Sequence, residues 1–289
     1  MSDNRSALLL VALSMTLLAA GDAVVRLLGE SLPVGQVIAF RGMVLIALLT
    51  GGLVITGYRI KRDRLFHRWN VLRALSETVS TYCFFTAVQF VPIAIATTIV
   101  FVFPIILTLV SIPLYGEKVG PWRWLAVVTG FIGVMIISNP QGEEFDWVMI
   151  LPVLTAFVLV ARDLATRKIP KDIPATEVTL TTAIITTGFG FLSLPFGWKA
   201  VGGFEITFLP IAAVLVALSF VTYIMAIRRG ELSIIAPAQY LMILWATFWG
   251  AMIWDEYPSD SAILGGVMII AAGGLILWRE YVHSKKAAV

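Results

Sequence analysis

Histidine and cysteine are almost missing from these 289 residues: His67 and His283 are the only histidines, and Cys83 is the only cysteine. A lone cysteine excludes an internal disulfide, and inside an apolar run it reads as a small packing residue. Both histidines lie in polar segments, so no histidine site can form within an apolar layer, and no metal or cofactor is expected. Charge is scarce as well: 13% of the residues are charged and 59% are hydrophobic. Soluble domains carry about 25% charged residues, so this chain lacks the means to cover a water-facing surface. The net charge of +3 comes from short basic segments rather than a patch, and nucleic acid is excluded as a partner. There is no Walker sequence, GxSxG, HExxH or CxxC. The chain is therefore not expected to be an enzyme or to hydrolyse ATP.

Long apolar runs are what the chain does have. They cover 6–28, 33–57, 69–91, 93–115, 121–138, 146–167, 175–197, 207–228, 233–254 and 258–281. A helix of about 20 residues crosses a ~30 Å hydrocarbon core. The predicted fold class is all-α integral membrane, with ten transmembrane helices. Only Arg5 precedes the first run, which outlasts a signal-peptide core, so that run is expected to be retained. Connections 29–32 and 90–92 are so short that their flanking helices must be antiparallel neighbours. Sixteen of the 21 Lys and Arg residues, among them Arg59, Lys61, Arg62, Arg64 and Arg68, fall on one side of the predicted layer. The positive-inside rule places that side, and with it both termini, in the cytoplasm.

One stretch recurs. DAVVRLLGESLP at 22–33 returns as DLATRKIPKDIP at 163–174. The same shift of 141 carries Thr81-Tyr82 onto Thr222-Tyr223 and Gly133 onto Gly274. The chain thus divides into two copies of one unit, 1–140 and 141–289, with five helices each. Five is odd, so the copies enter the bilayer in opposite senses. Inverted repeats of this kind build secondary transporters, with the solute held between the halves and released by alternating access.

Charges inside a bilayer cost about 2.5–3.5 kcal/mol each on insertion scales, so each needs a reason. Asp22 and Arg26, Arg73 and Glu77, and Asp163 and Arg167 stand one helical turn apart. Such pairs are either standing counter-ions or parts that open as a gate or proton site. Arg41 has no partner in its own helix, and pairing with Asp22 across a helix interface stays open. The candidate substrate-binding residues are Thr78, Thr81, Tyr82 and Phe85, then Thr98 and Phe101, then Tyr223, and finally Gln239, Tyr240 and Trp245. Their hydroxyl and amide groups can hold a polar solute, and their rings can stack on a planar one. Residues of these types also join membrane helices and line the interfaces. Pro104 and Pro237 interrupt helices. Gly130, Gly133, Gly265, Gly266, Gly273 and Gly274 allow close packing or a homodimer.

From Tyr82 to Gly133 the chain resembles the EamA repeat of the drug/metabolite transporter superfamily. Phe85, Ala87, Ala94, Ala96, Phe103-Pro104, Gly116-Glu117, Gly130 and Gly133 carry the likeness. The second copy has Tyr223, Ala226, Ala236, Asp255-Glu256 and Gly273-Gly274, and Arg41 after Phe40 resembles an arginine common in that family's second helix. It departs at Gly21-Asp22, where a Trp-Gly pair is frequent, and in lacking a second-copy match to Pro104. Within the superfamily it is similar to bacterial inner-membrane exporters of amino acids, aromatic ones in particular. That resemblance implies export of such small metabolites through a central cavity. The alternative is an importer of a nucleoside-like metabolite such as S-adenosylmethionine, because this fold serves both directions.

Overall fold

A computed structural model describes residues 2–103, 105–106, 110, 121–138, 147–229, 239 and 241–287. Every regular element among them is helical. They are α1 (Ser2–Gly29), α2 (Val34–Ile55), α3 (Arg62–Leu65), α4 (Arg68–Ala87), α5 (Ile93–Val100), α6 (Pro121–Ser138), α7 (Ile150–Lys168), α8 (Ala175–Phe191), α9 (Gly203–Arg229), α10 (Leu241–Trp254) and α11 (Asp260–Ala287). Three starts share one device. Pro33, Pro92 and Pro174 sit in extended backbone directly before α2, α5 and α8. There a fixed φ sharpens the turn and the missing N–H is not needed.

Ser6–Gly29, Val34–Ile55, Trp147–Lys168 and Gly203–Ile227 are each long and apolar enough to cross a bilayer. The chain is a multi-pass membrane protein. Leu9, Val54, Phe131, Leu244 and Val267 are exposed on its outer surface, where lipid rather than water suits them.

Two predicted runs differ in the structure. The helix expected over 93–115 breaks its ladder after Val100: the Phe101 amide still reaches Thr97, but the Val102 amide turns back to Ile99. A proline at 104 has no N–H to offer a carbonyl one turn back. Pro104 itself, 111–115 and most of 233–240 lie outside the described residues. The run expected to 197 ends as a helix at Phe191 and continues into a tight 3₁₀ turn at Leu194–Phe196.

The helices interlock. α1 packs on α9, α4 on α7, α2 on α8, and α6 on α11, while α10 meets both α1 and α5, and α5 meets α7. Exchange α1 with α7, α2 with α8, α4 with α9, α5 with α10 and α6 with α11, and these main pairings map onto themselves. The first helix of each set therefore lies against the third of the other.

The first turns of α2 and α8 are fastened in the same way by different chemistry. The Gln36 amide donates to the Lys199 carbonyl at 2.7 Å and accepts from the Lys199 amide at 2.9 Å. At 177, the position 141 residues on, the carboxylate of Glu177 accepts from the Tyr58 hydroxyl at 2.6 Å and the Lys61 amide at 3.3 Å. Burial, then the Glu177 carboxylate, pushes the Tyr58 phenol above its ordinary range, so it stays a donor.

Between these ends α2 and α8 touch almost backbone to backbone. A Cβ on Gly190 would meet the Ala39 amide at 2.8 Å, and one on Gly42 would collide with the Thr187 hydroxyl. Gly190→Ala is therefore expected to cost about 1–3 kcal/mol as overpacking. A lowered thermal unfolding midpoint in detergent checks this; an unchanged midpoint counts against so close an approach. The α6 glycines serve inside the chain as well. Gly133 faces the Gly265 carbonyl of α11, and Gly130 lies near Ala272, so this seam joins helices of one chain.

Candidate functional site

A partly open cavity lies among α1, α2, α4, α5, α7, α9 and α10. Helical periodicity delivers its walls. Residues 73, 77, 80, 81, 84 and 85 of α4 recur every three or four positions and share one face. Ser14, Leu18 and Asp22 do the same on α1, and Val216, Ser219, Phe220 and Tyr223 on α9. A hydrogen bond from the Ser14 hydroxyl to the Ser219 carbonyl, at 2.8 Å, ties these last two faces together.

Of the substrate-binding candidates, Thr81, Phe85, Phe101, Tyr223 and Gln239 line this cavity, and so do the charged residues Asp22, Arg41, Arg73 and Glu77. The others lie elsewhere. Thr78 bonds the Ala74 carbonyl and the Thr186 hydroxyl, both at 2.8 Å, and joins α4 to α8. The Thr98 hydroxyl closes on the Ala94 carbonyl one turn back. Tyr82 packs against the apolar core with its hydroxyl buried and unpaired. Trp245 stands edge-on to Phe248 at 5.7 Å. Tyr240 lies outside the described residues.

The three expected one-turn ion pairs are replaced by others. Arg26 reaches across from α1 to the segment after α10 and grips both carboxylate oxygens of Glu256, at 2.5 and 2.7 Å. Its guanidinium lies 4.1 Å from the centre of the Trp254 ring, and the Trp254 indole donates to Glu30. Arg162 takes Asp163 at 2.8 Å and Glu77 of α4 at 3.2 Å. Arg73, freed from Glu77, donates to the Thr182 hydroxyl at 2.5 Å. Arg167 is exposed at the end of α7. At Arg26 the physical reason is geometric: a guanidinium fork meeting the Glu256 carboxylate end-on makes two parallel bonds, which a partner one turn away on the same helix rarely achieves.

Arg162 and Glu256 were not among the candidates, though both carry the electrostatics. One signal pointed to Arg162: Arg162-Asp163 is a charged doublet in an otherwise apolar run. Glu256 stood out only as half of the Asp255-Glu256 pair of the repeat, in an acidic connection, with nothing to tie it to Arg26. What the site can do chemically is hold a small solute. It offers aromatic faces, hydroxyls and an amide, with ions of both signs held at its wall.

The sequence matches the EamA-like transporter family over residues 5–139 and again over 146–278. It is 26% identical over 227 residues to a riboflavin transporter of Rhizobium johnstonii, covering 78% of this chain and 75% of that one. It is 24% identical over 269 residues to an S-adenosylmethionine uptake transporter of Rickettsia bellii, covering 93% and 92%. It is 23% identical over 278 residues to a pseudopaline exporter of Pseudomonas aeruginosa, covering 93% and 94%. One crystal structure shares the fold, with a TM-score of 0.65 at 16% identity over 95% of this chain and 98% of that one. These relatives move solutes rather than catalyse reactions. With two family matches spanning both parts of a duplicated helical bundle around a largely apolar cavity that carries a few charged side chains, the chain belongs to the EamA-like transporter family.

Proposed function

We propose that the chain is a secondary transporter of small metabolites, working by alternating access between two inverted halves, 1–140 and 141–289, of five spans each. It sits in a bacterial inner membrane with both termini in the cytoplasm. The leading solutes are amino acids, aromatic ones included, moved outward. The observation that carries this reading is the cavity's balance. Arg41, Arg73 and Arg162 are matched by Asp22, Glu77 and Asp163 around walls of Phe84, Phe85, Phe220 and Tyr223. A site neutral overall suits a solute neutral overall, such as an amino-acid zwitterion, and the rings suit a planar side chain. The exchange-symmetric packing supports the halves, and the Arg26–Glu256 clamp supports a closed mouth at one end. A second reading is import of a nucleoside-like metabolite such as S-adenosylmethionine. It is favoured by the relative named for that uptake, which aligns along 93% of this chain.

Counterflow of labelled tryptophan in proteoliposomes tests the leading reading, with S-adenosylmethionine and riboflavin as competitors. Tyr223→Ala removes a ring from the cavity wall and is expected to raise the half-saturating concentration about tenfold, the worth of one aromatic stack. Tyr82→Ala, its repeat mate, is expected to leave that concentration unchanged. Equal effects at the two positions would refute the cavity assignment.

A further inference from the structure

We infer that Arg41 and the threonine-lined chamber beside it form a subsite for a carboxylate on the solute, so that the cargo carries an α-amino-acid group. This rests on the transport reading and narrows it.

The other arginines within the helix bundle have partners. Arg26 holds Glu256 and Arg162 holds Asp163 and Glu77, while Arg73 donates from one nitrogen to the Thr182 hydroxyl and keeps a buried Nε without a partner. Arg41 is only 7% exposed. No hydrogen bond or ion pair joins its guanidinium to another described residue, and its Nε is buried without a partner. The Phe85 ring lies 5.7 Å from the guanidinium carbon, and the charges of Asp22 and Glu77 act on the group without ion-pair contact. A ring covers one face of the group and leaves its in-plane N–H donors open. A buried cation with open donors is expensive unless an anion completes it.

The surroundings indicate where that anion goes. Arg41 lies on the wall of the main cavity and also on that of a much smaller second pocket beside it, which shares Glu77, Thr81 and Phe220 with the first. Thr182, Thr186 and Thr187 line the second chamber, and the Thr187 hydroxyl is buried with no partner of its own. Two unsatisfied donor groups thus converge on one small space. Asp22 shares the main cavity and its charge acts on Arg41, but the two are not in ion-pair contact. A solute fits between them with its carboxylate on Arg41 and Thr187, its ammonium toward Asp22, and its ring among Phe85, Phe220 and Tyr223.

The subsite sorts the candidate solutes. Tryptophan and S-adenosylmethionine both carry an α-aminocarboxylate, whereas riboflavin does not. Equilibrium binding to the purified full-length chain tests this, using tryptophan against tryptamine, S-adenosylmethionine against its decarboxylated form, and riboflavin alone. The wild type is expected to prefer the carboxylate member of at least one pair by about tenfold to a hundredfold, the worth of a hydrogen bond to a charged group. Arg41→Gln is expected to erase that preference. Arg41→Lys, which keeps the charge, and Thr187→Val, which removes only the hydroxyl, are each expected to reduce it severalfold with the melting temperature retained. These two keep the test decisive if Arg41→Gln does not fold. A preference surviving all three substitutions, or no preference in the wild type, overturns the subsite while transport still stands. Proteoliposomes that take up none of the five probes would count against the transport reading itself.

Discussion

Arg162→Ala is expected to destabilise the folded chain by about 3–5 kcal/mol, the cost of stripping a buried ion cluster of its cation. Arg162 lies in the middle of an apolar helix and holds Asp163 and Glu77 at 2.8 and 3.2 Å. Removing it leaves two carboxylates in a low-dielectric interior without their bonded cation, with Arg73, which donates to Thr182, as the remaining positive charge near them. Thermal unfolding of the detergent-solubilised protein reads the loss. Arg162→Lys should recover part of it, because the charge returns without the fork. Combining Arg162→Met with Asp163→Asn and Glu77→Gln should recover most of the stability, since buried ions replaced together by neutral groups cost little. Transport should not return with it. An Arg162→Ala protein that melts like the wild type would mean that the Arg162, Asp163 and Glu77 side chains are not joined.

The second large effect concerns the clamp. Glu256→Arg places a cation against Arg26 where a two-pronged ion pair stood, and juxtaposed like charges cost several kcal/mol. Under the proposed transport cycle, in which this clamp closes one end, turnover is expected to fall at least about tenfold, each tenfold corresponding to 1.4 kcal/mol. The swapped pair, Arg26→Glu with Glu256→Arg, should restore much of the rate because the bidentate geometry can re-form in reverse. Initial rates of solute counterflow measure both. If the single variant turns over normally, or the swap rescues nothing, the contact is a structural tie rather than a gate.

Particular residues show how far the primary structure reaches. The face of α4 was legible: Thr81 and Phe85 are four apart and both line the cavity, because a helix of any environment repeats every 3.6 residues. Thr78, three residues before Thr81 and of the same chemistry, is instead bonded to Thr186 of α8. Its role depends on how α4 is rotated against its neighbours, which spacing alone does not contain. Tyr82 and Tyr223 make the point more sharply. They are repeat mates, yet only Tyr223 reaches the cavity wall, since two copies of one unit with diverged side chains need not pack with the same rotation. Arg26 was visible as a buried charge, but its partner lies 230 residues away.

From the sequence alone came the apolar runs, the duplicated unit, the membrane class and the scarce charges that had to matter. Each is a matter of composition or of local period, and lipid enforces both by penalising every unpaired polar group. The tertiary structure decided which charge meets which, which threonine binds helices and which lines the cavity, and that the Arg41 guanidinium is left without a hydrogen bond or ion pair among the described residues. Those outcomes turn on the rotation and distance of helices far apart in the chain. Contact between side chains is set in three dimensions, after local periodicity has done its part.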